Sequence, residues 1–232
     1  MNATTVVIAD DHPLFRNGLR SAINDVAGCV VVGEASDGAQ AIARIGELLP
    51  QVAFVDLAMP EVGGYDVLNW ANDHAPDTAC IIMTMYKDQE YLRRAIDLGA
   101  QGFLVKDDAY GALAECFATL ADADFYVSPA LGTPMPPDPI EGLLPDERIE
   151  IQSLTTAQRT ILRYMAEFKT SKEIARILGV SPKTVENHRM NMAQALGLRG
   201  PNRLLRFAVR HAGCARLAGV RSVNKQNESS SK

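Results

Sequence analysis

The fold is decided by the stretch Val52-Ala53-Phe54-Val55-Asp56-Leu57-Ala58-Met59-Pro60. A short apolar run leads directly into one carboxylate, and a proline follows shortly after it. Such a run, bounded by a breaker, is typical of a fully buried strand in a parallel sheet. Open α/β sheets bind ligands beyond the carboxyl ends of their strands, which is where Asp56 would lie. The stretch therefore predicts an α/β fold with a functional carboxylate at the end of a strand.

Similar apolar runs occur on both sides of this stretch, and residues with helical spacing separate them. The runs occupy residues 6–9, 29–33, 79–84 and 102–106. Right-handed crossovers place the intervening helices on both faces of a parallel sheet. Residues 1–124 are therefore predicted to form a five-stranded, doubly wound, flavodoxin-like domain.

The remainder of the chain has a different pattern. Residues 125–150 are rich in proline, which favours an extended linker over a helix. Residues 151–213 have helical periodicity throughout and predict an all-α domain of four helices that contains a helix-turn-helix. Residues 214–232 are predicted to be a polar, disordered tail.

Charge divides the chain in the same way. The net charge is -5 overall. Residues 1–128 hold 7 Lys/Arg and 19 Asp/Glu, whereas residues 153–232 hold 15 and 4, which is a net charge of +11 for the second half. This asymmetry indicates that the second half faces a polyanion such as DNA.

The sequence also bears on the location of the protein. No apolar run approaches the ~20 residues that a membrane span needs, and no basic secretory leader is evident. The four cysteines are scattered, so we expect reduced thiols in a cytoplasmic protein and no zinc site.

The predicted strands end in residues that suit phosphoryl chemistry. The residues at these ends are Asp10, Asp11, Asp56, Thr84 and Lys106. Carboxylates placed close together resist ionisation unless a cation lies among them, and Mg²⁺ prefers such oxygen ligands. Asp56 is then the natural nucleophile, while Lys106 and Thr84 would contact phosphoryl oxygens. The alternative is that the Asp10-Asp11 pair caps a helix and that Lys106 is simply solvated.

Two other kinds of phosphate site do not match these residues. A dinucleotide site needs Gly-x-Gly-x-x-Gly after the first strand, where this chain has Asp10-Asp11-His12-Pro13. A haloacid-dehalogenase-type phosphatase would resemble Asp-x-Asp after the central strand, but Ala58 stands at the second position. A Mg²⁺-dependent phosphohydrolase is therefore disfavoured, and we do not expect an enzyme.

As a set, these residues resemble the receiver domain of bacterial two-component response regulators. The resemblance implies that Asp56 accepts a phosphoryl group from a cognate sensor histidine kinase. It implies that Asp11, Asp56 and the backbone carbonyl of Ala58 bind Mg²⁺, with Asp10 acting through water. It also implies that Thr84 and Phe103 form the switch that reports phosphorylation.

The helical half has the spacing of a helix-turn-helix, with one helix over residues 171–179 and a second over residues 181–196. The second helix would lie in the major groove of double-stranded DNA. The candidate DNA contacts are Lys172, Lys183, Thr184, Glu186, Asn187, His188, Arg189 and Asn191. Among them, Asn187 could read adenine and Arg189 could contact guanine or phosphate. The alternative is a solvated amphipathic helix.

Residues 150–213 resemble the LuxR-type helix-turn-helix of the NarL/FixJ response regulators. Two residues depart from that pattern, namely Gln158, where the family usually has an acid, and Phe168, where it usually has glycine. Both departures put local stability in doubt rather than DNA binding. The last helix often pairs two DNA-binding domains in that family, and Leu205 or Val209 could do so here.

The sequence therefore predicts a phosphorylation-controlled DNA-binding transcriptional regulator that is a homodimer when active. One alternative is a DNA-binding regulator whose receiver serves only as a dimerisation or sensing module.

Overall fold

The structure is a computed structural model that describes residues 3–122, 124–132, 154–198 and 202–220, with side chains described up to residue 211. The chain divides into two compact units, residues 1–133 and 134–232.

The first unit is a parallel sheet with helices between its strands. Its strands are β1 (Thr4–Ala9), β2 (Cys29–Ala35), β3 (Val52–Asp56), β4 (Ala79–Thr84), β5 (Gly102–Val105) and β6 (Tyr126–Val127). Its helices are α1 (Pro13–Asp25), α2 (Gly38–Leu48), α3 (Gly64–His74), α4 (Gln89–Asp97) and α5 (Ala109–Ala121). The strand order is β2-β1-β3-β4-β5-β6, and every adjacent pair is parallel. This arrangement confirms the predicted doubly wound α/β class.

Burial explains why the apolar runs form the interior of the sheet. All five residues of β3 are buried, as expected for a strand covered on both faces. On one face, Phe54 and Ile81 pack in a single cluster with Leu19 and Ile23 of α1 and Leu113 of α5. Because β3 is hydrogen-bonded on both sides, its end is held firmly at the middle of the sheet edge.

The sheet has six strands rather than the predicted five. Tyr126–Val127, within the predicted linker, pairs with Gly102 and Phe103. The side chain of Asp108 anchors the next residues, because it accepts hydrogen bonds from Ser128 Oγ at 2.7 Å and from the backbone N–H of Ala130 at 3.1 Å. A two-residue strand is too short to produce an apolar periodicity, so only backbone pairing reveals it. The rest of the predicted linker, from residue 133, lies outside the described residues.

Gly64 allows α3 to begin directly against the end of β3. A Cβ atom at this position would lie 2.4 Å from the carbonyl oxygen of Asp56 and 2.9 Å from Leu57 Cα. The N–H of Gly64 also donates to the carbonyl of Leu57 at 3.1 Å. This close approach of two backbones explains why glycine stands here, and it holds the loop that follows Asp56.

The second unit contains four helices among its described residues, as predicted. They are α6 (Thr156–Ala166), α7 (Ser171–Leu178), α8 (Pro182–Ala195) and α9 (Arg203–Val220). Hydroxyl side chains of Thr155, Thr170 and Ser181 cap the first three helices. The last helix extends to Val220, seven residues beyond the predicted end of the helical domain at residue 213. Residues 221–232 lie outside the described residues.

Phe168 has a backbone conformation that disfavours its side chain. Helix α6 ends at Ala166, and Phe168 follows with φ at +57°. Glycine is the usual residue at such a left-handed position after a helix, because it has no Cβ to clash. The structure thus gives a physical reason for the glycine that the LuxR-type pattern has here.

Within the described part of the chain, no helix combines the length and the apolar character needed to cross a membrane.

The close contact at Gly64 predicts opposite effects of alanine at two helical glycines. Gly64→Ala should lower the free energy of unfolding by about 1–3 kcal/mol, because the new Cβ overlaps backbone atoms. Gly111→Ala is the matched control, since nothing lies within 4 Å of its Cβ position on α5, and it should raise stability by roughly 0.5–1 kcal/mol. Urea unfolding can be followed by the fluorescence of Trp70, the one tryptophan of the chain. Equal effects at both positions would contradict this explanation of Gly64.

The left-handed conformation at Phe168 predicts a preference for glycine over alanine. Phe168→Gly and Phe168→Ala both remove the ring, but only alanine keeps a Cβ at φ +57°. We expect the glycine variant to be more stable by about 1 kcal/mol. Far-UV circular dichroism during thermal unfolding measures the difference. If the alanine variant were as stable as the glycine variant, the left-handed backbone conformation at residue 168 would not be strained by a Cβ atom.

Candidate functional site

The residues predicted to take part in phosphoryl chemistry lie at one edge of the sheet. Asp10 and Asp11 follow β1, Asp56 ends β3, Thr84 ends β4, and Lys106 follows β5. The strand order reverses between β1 and β3, because their crossovers leave on opposite sides. Crevices of doubly wound folds open at this reversal, beyond the carboxyl ends of the strands.

Lys106 is the centre of this site. Its Nζ lies 2.8 Å from Asp10 Oδ2 and 2.7 Å from Asp56 Oδ2. The side chains of all three are almost completely buried, with exposed fractions of 5%, 0% and 3% for Lys106, Asp10 and Asp56. Removing Lys106 from such a group would leave two buried carboxylates without a counterion, which is costly. The alternative of a solvated strand-end lysine is therefore wrong.

Asp56 has two differently engaged oxygens. Its Oδ2 accepts from Lys106, while its Oδ1 accepts from the backbone N–H of Ala58 at 3.3 Å. Burial raises the pKa of the Asp56 carboxyl, and nearby Asp10 adds to the rise, whereas Lys106 and the Ala58 N–H oppose it. The Oδ1 contact is long, so this oxygen is the more weakly held of the two.

The acidic cluster fits a divalent cation. Ligand atoms of Asp10, Asp11, His12 and Asp56 all lie within 4.8 Å of one another. Asp10 Oδ2 and Asp11 Oδ1 are buried and have no hydrogen bond, although each lies close to a nitrogen, of Lys106 and His12 respectively. Buried carboxylate oxygens of this kind are suitable ligands for a hard cation such as Mg²⁺. One lysine among three carboxylates also leaves negative charge to be neutralised.

The structure adds neighbours that the sequence pattern did not single out. His12 Nδ1 lies 2.7 Å from Asp11 Oδ1, and the backbone N–H of His12 donates to Asp10 Oδ1 at 2.9 Å. Arg16 donates to the carbonyl of Asp10 at 2.6 Å, and the Phe15 ring lies 4.8 Å from Lys106 Nζ. The sequence could have indicated these residues only by their proximity to Asp10, which they follow by two to six positions. They fix the loop and the ammonium from the side of α1.

The predicted switch residues are both buried. Thr84 is 1% exposed, and its Oγ1 accepts a hydrogen bond from the backbone N–H of Tyr86 at 3.0 Å. Phe103 is fully buried on β5, between β4 and β6. The Phe103 ring therefore already lies in the interior of the first unit in this structure.

In the second unit, α8 presents most of the predicted DNA contacts to solvent. Lys183, Glu186, Asn187 and Asn191 are exposed. Lys183 Nζ lies 3.1 Å from Glu186 Oε2, so these two charges pair on the surface. Thr184 is half-buried, and both its hydroxyl and its backbone N–H contact Ser181 Oγ, at 2.8 and 3.1 Å.

Three residues predicted as DNA or dimer contacts in the helical half have contacts within their own unit. Arg189 is half-buried, and its guanidinium donates to Ser171 Oγ at 2.5 Å, so it links α8 to α7 instead of projecting freely. Leu205 and Val209, suggested as dimer contacts, are 5% and 9% exposed. Both belong to α9, which packs on α6 of the same unit, and this packing explains their apolar character.

Comparisons with known proteins agree with this organisation. Residues 6–117 match the response regulator receiver domain, and residues 152–208 match the bacterial regulatory proteins of the luxR family. The transcriptional regulatory protein MctR of Rhizobium johnstonii is 30% identical over 209 residues, which cover 89% of this chain and 93% of MctR. The RcsB response regulator of Salmonella typhimurium superposes with a TM-score of 0.54 and 26% identity, over 89% of this chain and 98% of RcsB.

A further solved structure shows two RcsB dimers bound to two parallel DNAs. This chain matches it with a TM-score of 0.52 and 26% identity, over 90% of this chain and 99% of that one.

The acidic cluster predicts stabilisation by Mg²⁺. At tenfold excess over its dissociation constant, Mg²⁺ should raise the free energy of unfolding by about 1.4 kcal/mol. Asp11→Asn should lose most of this gain. Asp107→Asn should keep it, because Asp107 lies outside the cluster and pairs with Lys87 at 2.7 Å. Urea unfolding followed at Trp70, with and without Mg²⁺, measures the gain. An undiminished gain in Asp11→Asn would rule out Asp11 as a ligand.

Proposed function

Since this chain belongs to the NarL/FixJ-type response regulators, which join a receiver domain to a LuxR-type DNA-binding domain, we propose that phosphorylation of Asp56 controls its binding to DNA. The observation that carries the proposal is the buried Lys106 ammonium, 2.7 Å from Asp56 and 2.8 Å from Asp10. An ammonium fixed beside one strand-end carboxylate is suited to neutralise a phosphoryl group that arrives there.

Asp56 Oδ1 is the oxygen we assign as the nucleophile, because its contact with the Ala58 N–H is weaker than that of Oδ2 with Lys106. This oxygen attacks the phosphorus of a phosphohistidine on a sensor kinase. The P–N bond breaks, the imidazole leaves with the electron pair, and an acyl phosphate forms on Asp56. Lys106 stays within the site and pairs with the new phosphoryl oxygens.

Asp11, Asp56 and the backbone carbonyl of Ala58 are the residues we assign to Mg²⁺, with Asp10 contributing through water. The assignment is supported by the closeness of the ligand atoms of Asp10, Asp11 and Asp56, which lie within 4.8 Å of one another. When bound, Mg²⁺ supplies positive charge that lowers repulsion between the carboxylates and the incoming phosphoryl group. Its charge also opposes the effect of burial on the pKa of the Asp56 carboxyl.

Thr84 and Phe103 are the residues we assign to the switch. The new dianionic group attracts the Thr84 hydroxyl. Because the N–H of Tyr86 donates to Thr84 Oγ1, a shift of Thr84 carries the loop after β4 with it. Met85 and Tyr86 of that loop are 61% and 51% exposed, so the shift changes the surface. Phe103 then acts by repacking within the interior, since its ring is already buried.

Helix α8 is the element we propose for the major groove. Asn187 and Asn191 are exposed on it and have the amide groups that read adenine. Lys172 and Lys183 would meet phosphates, while Glu186 and His188 adjust the choice of bases. The solved structure of RcsB dimers on DNA supports a homodimer as the DNA-bound form here. Arg189 also holds α8 against α7 through Ser171, and we keep it as a candidate contact to guanine or phosphate.

We place the receiver domain at residues 1–132 and the DNA-binding domain at residues 151–220, with the proline-rich segment joining them. Both domains act in the cytoplasm, where the kinase domain of the sensor and the DNA are found. The protein is a phosphoprotein regulator and not an enzyme that turns over a substrate.

Reaction with acetyl phosphate tests the phosphoacceptor. In the presence of Mg²⁺ and acetyl phosphate, the wild-type chain should gain the mass of one phosphoryl group, whereas Asp56→Asn should gain none. Asp107→Asn, which changes an acid of the same sheet edge that pairs with Lys87, should be labelled like the wild type. Intact-mass spectrometry gives the result. Labelling of Asp56→Asn would overturn the assignment.

Control of DNA binding is tested with the same proteins. Phosphorylation should raise the affinity of the wild-type chain for a duplex selected from a random library about tenfold, within the range of ordinary coupling free energies. Fluorescence anisotropy measures the affinity for the duplex before and after treatment with acetyl phosphate. Asp56→Asn should keep the lower affinity after treatment. If the wild type binds the duplex but cannot be labelled, the receiver is a dimerisation or sensing module instead.

A further inference from the structure

The exposed face of α8 contains one large apolar side chain, Met190. Its exposed fraction is 63%. The face around it is polar and is formed by Lys183, Glu186, Asn187, Asn191 and Gln194, all exposed. Single exposed apolar residues are common on proteins, so the position of Met190 is the informative point.

Helical geometry places Met190 away from the interior. Val185 and Met192 are fully buried and mark the face of α8 that packs on the rest of the unit. At 100° per residue, Met190 is turned about 140–160° from both. Glu186 and Asn187, four and three residues earlier, are its neighbours on the same face. Met190 therefore projects from the centre of the surface that we assign to DNA.

The preceding residue, Arg189, is held by a contact within the unit, which increases the share of Met190 in the exposed face. Arg189 would be the natural base-reading residue by its chemistry, but its guanidinium donates to the hydroxyl of Ser171, which is 3% exposed. That contact holds α8 in place on α7. The most C-terminal part of the exposed face is then left with Met190 and two amide side chains, Asn191 and Gln194.

We propose that Met190 determines part of the DNA sequence preference by contacting the C5 methyl group of thymine in the major groove. This inference rests on the function proposed above. Each base pair exposes hydrogen-bonding groups in the major groove, but only thymine presents a methyl group there. A flexible, polarisable methionine side chain packs well on such an apolar group.

Charge favours DNA over a protein as the occupant of this face. Residues 153–232 hold 15 Lys/Arg and 4 Asp/Glu, so this part of the chain attracts a polyanion. An isolated methionine among polar groups also offers too little apolar area for a stable protein contact. A thymine methyl group needs only one apolar partner among hydrogen-bonding neighbours, which is what this face provides.

Replacement of thymine by deoxyuridine tests the contact, because it removes the methyl group and leaves the Watson–Crick and hydrogen-bonding edges unchanged. The probe is a duplex selected from a random library by the full, acetyl-phosphate-treated chain. Each thymine is then replaced in turn, and binding is measured by fluorescence anisotropy. We expect one thymine per half-site at which the loss of the methyl group weakens wild-type binding about fourfold, the value of one buried methyl-sized group.

Variants of Met190 test whether this residue causes the sensitivity to deoxyuridine. Met190→Ala should bind the thymine duplex about fourfold more weakly, through loss of one such apolar contact, and should be insensitive to deoxyuridine at the same position. Met190→Leu, which remains apolar, should retain most of the sensitivity. Leu49→Ala removes an apolar side chain of equal exposure, 63%, from the C-terminal end of α2 in the receiver domain, and it should behave as the wild type.

The outcomes separate this inference from the function on which it rests. If no duplex is enriched, DNA binding itself is contradicted, and the thymine contact with it. If a duplex is enriched but every deoxyuridine is tolerated, or if Met190→Ala keeps the full sensitivity, Met190 does not read thymine. Sensitivity that disappears in Met190→Ala and persists in Met190→Leu supports the contact.

Discussion

The bridge from Lys106 to Asp10 and Asp56 is the interaction on which the receiver half depends. Burying three ionised groups is expensive, and the cost is offset only when the charges meet at hydrogen-bonding distance. The parallel sheet achieves this because three of its strands, β1, β3 and β5, end at the same edge. The same bridge makes the site responsive. Adding or removing a phosphoryl group there would change the balance among these buried charges, because little solvent lies nearby to screen them.

The surroundings of the bridge are connected to it by short contacts. Gly64 lets α3 begin against the end of β3, which fixes the loop after Asp56. Two residues beyond Lys106, Asp108 holds Ser128 and Ala130, and thereby the start of the segment that leads to the second half. The Thr84 hydroxyl accepts from the Tyr86 N–H, so the exposed loop after β4 follows Thr84. Two parts of the receiver surface, the loop after β4 and the segment after β6, are thus tied to residues at or near the strand ends of the site.

In the helical half, stability and recognition use neighbouring residues of one helix. Val185 and Met192 anchor α8 in the interior, and Arg189 ties it to Ser171 on α7. These contacts leave a polar face with Met190 at its centre. A helix held on one side in this way presents a rigid outer face, which suits the contact with a duplex that we propose. Rigidity of this kind lowers the ordering cost of binding and makes single contacts with bases selective.

Local sequence patterns were sufficient to predict the α/β class, the helical second half and the set of strand-end residues, because apolar periodicity and breakers are local properties. The sixth strand, the full length of α9 and the inward turn of Arg189 came only from the tertiary structure. A two-residue strand has no periodicity, and a helix end or an arginine side chain is set by partners distant in sequence. The pairing of Lys106 with both acids was likewise a matter of strand order. Which charges meet depends on which strands are neighbours, and this is decided when the whole sheet assembles.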